Sequence, residues 1–222
     1  MLPDYFHFLL TGQKCSEYTN ATSTQLINAQ TNDWDRELIE RLGYPQEMFL
    51  PLSQPGTLVG SFTKEIEEEV GFSCEVVLPA THDTGSAVMA LPGEGDKNLY
   101  ISSGTWSLMG IENKTAICTE ESRKRNFTNE GGYEYRYRYL KNIMGLWMIQ
   151  SVRKELENKY SFAELCAMAS RRSDFPSRVD VNDPVFLAPD SMIRAIREMC
   201  AKTGHPVPET PDELAAVVYE SL

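Results

Sequence analysis

Apolar positions along this chain switch repeatedly between helical and strand spacing, which predicts a mixed α/β architecture. Residues 3–12 have the pattern of a short helix stopped by Gly12, a residue suited to the left-handed C-terminal cap. The polar stretch 17–25, rich in Thr and Asn, predicts loop or weak strand. Asp33-Trp34-Asp35 then opens an amphipathic helix through Leu38, Ile39 and Leu42, which Gly43 ends. Pro51, Pro55 and Gly56 mark a connection, and residues 61–70 read as a solvated helix closed by Gly71.

Beyond residue 70 the texture changes. Residues 74–79 form a short β-rich run ending at Pro79, and the small residues from Gly85 onward suit a helix packed on a sheet. Residues 98–102 and 105–111 read as two strands joined at Ser103-Gly104. Tyr133, Tyr135, Tyr137 and Tyr139 alternate with charged residues, a period-two strand pattern, and an apolar helix is predicted over 141–156. Thr210-Pro211-Asp212-Glu213 carries a capping-box signature. The helix it starts keeps its apolar stripe up to Leu222 with no terminating signal, as a helix interrupted partway would.

Composition narrows the function classes. The net charge of −11 lacks the cationic footprint that a nucleic-acid backbone requires. An unbroken apolar run reaches only from Ile143 to Ile149, against the roughly 20 residues of a membrane span. Without a signal-peptide pattern at the N-terminus, a cytoplasmic location is expected. Cys15, Cys74, Cys118, Cys166 and Cys200 form no C-x-x-C pair and read as buried or half-exposed free thiols. His7, His82 and His205 have no zinc-site spacing, so no metal ligands are expected among them.

Three segments could carry chemistry. The first is Thr81-His82-Asp83-Thr84-Gly85-Ser86. Asp83 at a strand-to-helix junction would cap orphan N–H groups, and it could also serve as a general base. Asp-Thr-Gly-Ser is in addition an aspartic-protease signature, although such an enzyme needs a second carboxylate and the tripeptide occurs once. The second segment, Ser102 to Ser107, holds a Gly104-Thr105 turn able to offer backbone N–H groups and a hydroxyl to a phosphate. The third runs from Asn142 to Gln150. On one helix these two residues share a face and could reach one cleft, whereas the apolar residues between them are ordinary core. The Tyr–Arg alternation before it could stack on bases, but an acidic chain favours a plain sheet strand.

In this order, the segments resemble the FGGY carbohydrate kinases. The resemblance rests on Pro3-Asp4-Tyr5 with Leu10-Thr11-Gly12, on Glu17-Tyr18-Thr19-Asn20-Ala21-Thr22, and on His82-Asp83-Thr84. It continues through Ser102 to Gly110, Thr128-Asn129-Glu130-Gly131-Gly132, Leu140 to Trp147, Phe186-Leu187-Ala188-Pro189 and Pro206 to Thr210, spanning almost the whole chain. It implies an actin-like ATPase (ribonuclease H-like) fold. Residues 1–79 would be the end of the N-terminal domain and residues 80–222 the beginning of the C-terminal one. By the same resemblance Asp83 is the general base that takes the proton of a ketose's primary hydroxyl as it attacks the γ-phosphate of ATP. His82, Asp83, Thr84 and Asn142 would then bind sugar, Thr105 a phosphate and Gln150 the nucleotide, with Mg²⁺ as the accompanying cation. The family's N-terminal phosphate-binding segment, an Asp-x-Gly strand-turn, and the Gly-rich adenosine turn expected after the final helix have no counterpart here. The chain therefore resembles the middle of such a kinase, with the missing parts as its possible partner. Poor activity alone, or a non-catalytic sugar-binding role, is the corresponding expectation.

Overall fold

The computed structural model describes residues 1–92 and 98–222, arranged as two compact units. One comprises residues 1–100 and 110–141, the other residues 101–109 and 142–222. The predicted strand at 98–102 is observed from Leu99, within the described residues.

The first unit opens with helix α1 (Leu2–Thr11), which ends as expected at Gly12 with φ 69°. The polar stretch after it is not a weak strand. Strand β1 (Ser16–Glu17) runs into a one-turn helix α2 (Tyr18–Ala21) and a 3₁₀ turn, because the Glu17 side chain caps two N–H groups of that turn. β2 (Ile27–Asn28) and β3 (Asp33–Trp34) pair antiparallel, and Asp35 caps helix α3 (Arg36–Arg41) through the Leu38 N–H. Ala21, Trp34 and Ile39 pack together there, with the Trp34 indole N–H donating to the Leu50 carbonyl at 2.7 Å. β4 (Leu52–Ser53) pairs parallel with β1. β5 (Leu58–Ser61), helix α4 (Lys64–Val70) and β6 (Glu75–Val77) follow, β5 and β6 being antiparallel. The 61–70 segment is thus helical only from Lys64, where Thr63 supplies the cap.

Helix α5 (Asp83–Met89) leads to a four-stranded sheet formed from β7 (Leu99–Ser102), β8 (Trp106–Asn113), β9 (Phe127–Gly131) and β10 (Tyr137–Met144), in the order β7-β8-β10-β9. Helix α6 (Glu120–Lys124) precedes β9. The tyrosine alternation overstates the strand. Tyr133–Tyr135 is a 3₁₀ turn with Glu134 and Tyr135 at positive φ, and the strand begins at Tyr137. That strand continues to Met144, so the predicted helix over 141–156 shortens to α7 (Trp147–Glu155). Gly145 is the reason for the break: it makes the close turn described below.

The second unit adds α8 (Phe162–Arg171), α9 (Met192–Lys202) and α10 (Pro211–Ser221) to α7. Thr210 and Glu213 form the predicted capping box. Met148, Ile149, Val152, Leu165, Phe186, Ile196, Val217 and Val218 build its core, all fully buried. The cysteines are free, but Cys74, Cys118 and Cys166 are exposed rather than half-buried. Among the described residues, no helix is long and apolar enough to cross a membrane.

Candidate active site

The His82-Asp83-Thr84 segment lies at the start of α5 in the first unit. The cap of that helix is His82 and not Asp83: His82 Nδ1 accepts the Gly85 N–H at 3.4 Å. Asp83 is the first helical residue, and its side chain is 99 % exposed. Its Oδ1 accepts the Thr84 N–H at 2.6 Å, which fixes the carboxylate against its own backbone. Thr84 is buried, with its hydroxyl 3.4 Å from the same oxygen.

Two buried ionic groups hold this junction. Glu17 is fully buried, and its carboxylate accepts from the Thr19 N–H at 2.7 Å, the Thr19 hydroxyl at 2.7 Å and the Asn20 N–H at 3.0 Å. It also accepts from the Thr81 N–H at 3.1 Å and the Thr81 hydroxyl at 2.7 Å. The Thr19 hydroxyl oxygen in turn accepts the His82 N–H at 3.3 Å. Asp4 fastens the other end, its Oδ1 accepting the Glu17 N–H at 3.0 Å.

The second group is Arg138 on β10, fully buried and 3.1 Å from the Glu130 carboxylate. Its Nη1 lies 3.3 Å from His82 Nδ1. A guanidinium only donates, and the Gly85 N–H donates to the same nitrogen, so Nδ1 is an acceptor and the imidazole proton sits on Nε2. Nε2 faces Glu130 at 3.8 Å. Burial, followed by the Arg138 charge, lowers the His82 pKa, with Glu130, Asp83 and Glu17 opposing. His82 is therefore held neutral, in one tautomer.

The Thr128 to Gly132 motif also has a physical basis. A Cβ at Gly131 would come within 2.8 Å of the Tyr18 ring, and the Gly131 N–H donates to the Thr22 hydroxyl at 3.0 Å. Glycine here lets the end of β9 lie against α2. Sequence reasoning missed Glu17, Glu130 and Arg138 as individuals, although each stood inside a quoted motif or the tyrosine alternation. An arginine at an inward strand position was the available signal for Arg138.

Thr105, Gln150 and Asn142 belong to the second unit. Thr105 and Gln150 come together: the Gln150 amide donates to the Thr105 hydroxyl oxygen at 3.3 Å, leaving the hydroxyl proton free to donate elsewhere. The turn carrying Thr105 is tied to the start of α7, because the Leu146 N–H donates to the Gly104 carbonyl at 2.9 Å and the Trp147 N–H to the Thr105 carbonyl at 3.0 Å. A Cβ at Gly145 would run into the Gly104 carbonyl and approach Ser107 Oγ to 2.8 Å, so only glycine allows this crossing. Gln150 also borders a cleft of about 420 Å³, with Trp147, Lys154, Glu155, Asp190 and Met192 among its lining residues. Asn142 does not share a helical face with Gln150. It stands exposed on β10, because the strand outlasts the predicted helix start.

The family model described as the FGGY family of carbohydrate kinases, N-terminal domain, matches residues 1–90, and the C-terminal domain model of the same family matches residues 99–222. A rhamnulokinase of Halalkalibacterium halodurans is 56 % identical over 100 % of this chain and 47 % of its own length. One of Oceanobacillus iheyensis is 53 % identical with the same coverage, and one of Bacillus subtilis is 43 % identical over 46 % of its length. The chain thus spans about half the length of the curated relatives it matches. In fold it is similar to a xylulose kinase of Lactobacillus acidophilus, with a TM-score of 0.70 at 17 % identity over 98 % of this chain and 44 % of that one. A xylulose kinase of Rhodospirillum rubrum gives a TM-score of 0.69 at 17 % identity, over 99 % and 44 %. The Asp83-Thr84-Gly85-Ser86 run is accordingly a sugar-kinase segment and not a protease one. Matched over residues 1–90 and 99–222 by the family's two domain models, this chain belongs to the FGGY family of carbohydrate kinases.

Proposed function

We propose that this chain carries part of the active site of a kinase that phosphorylates L-rhamnulose at its primary hydroxyl, using ATP and Mg²⁺. The observation that carries the reading is the contrast at α5. The Asp83 carboxylate is exposed and ready for a substrate, while the residues on either side of it are anchored by buried groups. An alcohol is a weak nucleophile, and a carboxylate within hydrogen-bond reach takes its proton as the oxygen–phosphorus bond forms. Asp83 is the base in this reading. His82 and Thr84 contact the sugar in this reading, and Asn142 is a proposed sugar-binding residue of the second unit.

The Thr105–Gln150 pair fits a phosphate-bearing nucleotide in its donors: a free hydroxyl proton, a second amide hydrogen on Gln150 and a glycine-bordered turn. Mg²⁺, bound through the phosphate oxygens, would neutralise charge as it develops on the transferred group. The chain spans about half the length of its curated relatives, and each donor lost from a phosphoryl-transfer site costs roughly 10²–10³ in rate. The chain alone is therefore a poor catalyst in this account.

Calorimetry with rhamnulose, run beside an ADP-release assay, tests the reading. Rhamnulose binding with feeble ADP release agrees with it. Binding without any turnover would favour a non-catalytic sugar-binding subunit, and no binding would remove both.

A further inference from the structure

We infer that Glu17 is a positioning residue for Asp83, holding the segment that presents the base through a carboxylate that even its amide isostere cannot replace. The inference rests on the reading of Asp83 as the base. Glu17 never touches the exposed face of α5. Its hold is through Thr81 directly and through the Thr19 hydroxyl to the His82 N–H.

The donor set gives the reason. Glu17 Oε1 accepts the Thr19 N–H, and Oε2 accepts the Asn20 and Thr81 N–H groups together with the Thr19 and Thr81 hydroxyls. Hydroxyls can rotate to become acceptors, but backbone N–H groups cannot reverse. Both oxygens face at least one backbone N–H. A glutamine in either flip would set its NH₂ against a backbone donor inside a fully buried site. Thr19 and Asn20 lie within three residues of Glu17, so they alone would make an ordinary local cap. Thr81 lies 64 residues away in sequence, immediately before the His82-Asp83 pair, and that long link makes the cap a positioning device.

The test uses the whole 222-residue chain, ¹⁵N-labelled, as the parent and as E17Q, E17D and I39V. Ile39 is fully buried in the same unit, packed with Ala21 and Trp34 and making none of the Glu17 hydrogen bonds, so I39V reports general loosening. The readouts are amide hydrogen exchange at Thr81 and His82 and the resonances of the His82 ring nitrogens. E17Q is expected to speed exchange at both amides about tenfold or more, the equivalent of one lost buried hydrogen bond, and to shift the ring nitrogens. E17D keeps two acceptor oxygens at shorter reach and falls between parent and E17Q; if E17Q does not fold, E17D against I39V decides alone. Matching behaviour of the Glu17 variants and I39V at Thr81 and His82 would overturn the inference. A parallel assay of rhamnulose-dependent ADP release is expected to show kcat falling in E17Q with the KM for ATP unchanged. Absence of turnover in the parent chain would count against the kinase reading, and the exchange data would still judge Glu17.

Discussion

His82 is the residue whose protonation the fold has set. Half-buried against Arg138, it keeps its proton on Nε2 and a folded-state pKa below the ordinary value. Below about pH 6.5 the unfolded chain takes a proton on this imidazole that the folded chain refuses. Stability therefore falls as pH drops through that value, and the loss stops only below the depressed folded pKa. Melting temperatures from about pH 7.5 to about pH 5 should decline more steeply for the parent chain than for His82→Gln, which has no proton to gain. Parallel profiles would contradict this assignment. Gly145 offers a second residue-scale test. Gly145→Ala forces a methyl into the Gly104 carbonyl and Ser107, so it should cost about 1–3 kcal/mol in urea unfolding, as overpacking does. It should also weaken nucleotide binding by calorimetry, because the Thr105 turn moves with the start of α7.

Among the elements, helix α10 follows most directly from its sequence. Thr210-Pro211-Asp212-Glu213 predicts the capping box that is observed, and the Leu214, Val217 and Val218 stripe is buried. Thr210→Ala should lower stability by about 1 kcal/mol, read from chemical denaturation, and an unchanged midpoint would show the box to be idle. The Gly12 stop of α1 and the Asp35 start of α3 were legible for the same local reason: caps are written within four residues. Where a distant contact decides the element, local pattern fails. Residues 141–144 have the composition of a helix start but pair as strand, since Gly145 is the point at which the chain can turn. Asn142 consequently sits on a strand rather than on the helix of Gln150. Likewise 17–25 reads as loop until Glu17 is seen to accept the N–H groups of the turn that follows it. The proposed site residues His82, Asp83, Thr84 and Thr105 stand in family motifs, and the structure sets Asp83 outward. The buried supports, Glu17, Glu130 and Arg138, were not legible as such, because charged residues are ordinarily read as solvated.

At the scale of the whole molecule, a net charge of −11 offers an anion no long-range attraction, so the nucleotide binding proposed above would have to rest on local donors. Thr105 and Gln150, hydrogen-bonded to each other in the second unit, are the proposed donor pair, and Asp83, the proposed base, lies in the first unit. The chain spans about half the length of its rhamnulokinase relatives, so slow catalysis is part of the account. The measurement that bears most directly on the central claim is rhamnulose 1-phosphate formation, followed by mass spectrometry over a long incubation with ATP and Mg²⁺. Parent, Asp83→Asn and Ser86→Ala would be compared, Ser86 being an exposed neighbour on α5. Slow product formation is expected from the parent and Ser86→Ala chains and none from Asp83→Asn. Product formed equally by Asp83→Asn, or by none of the three, would contradict that claim.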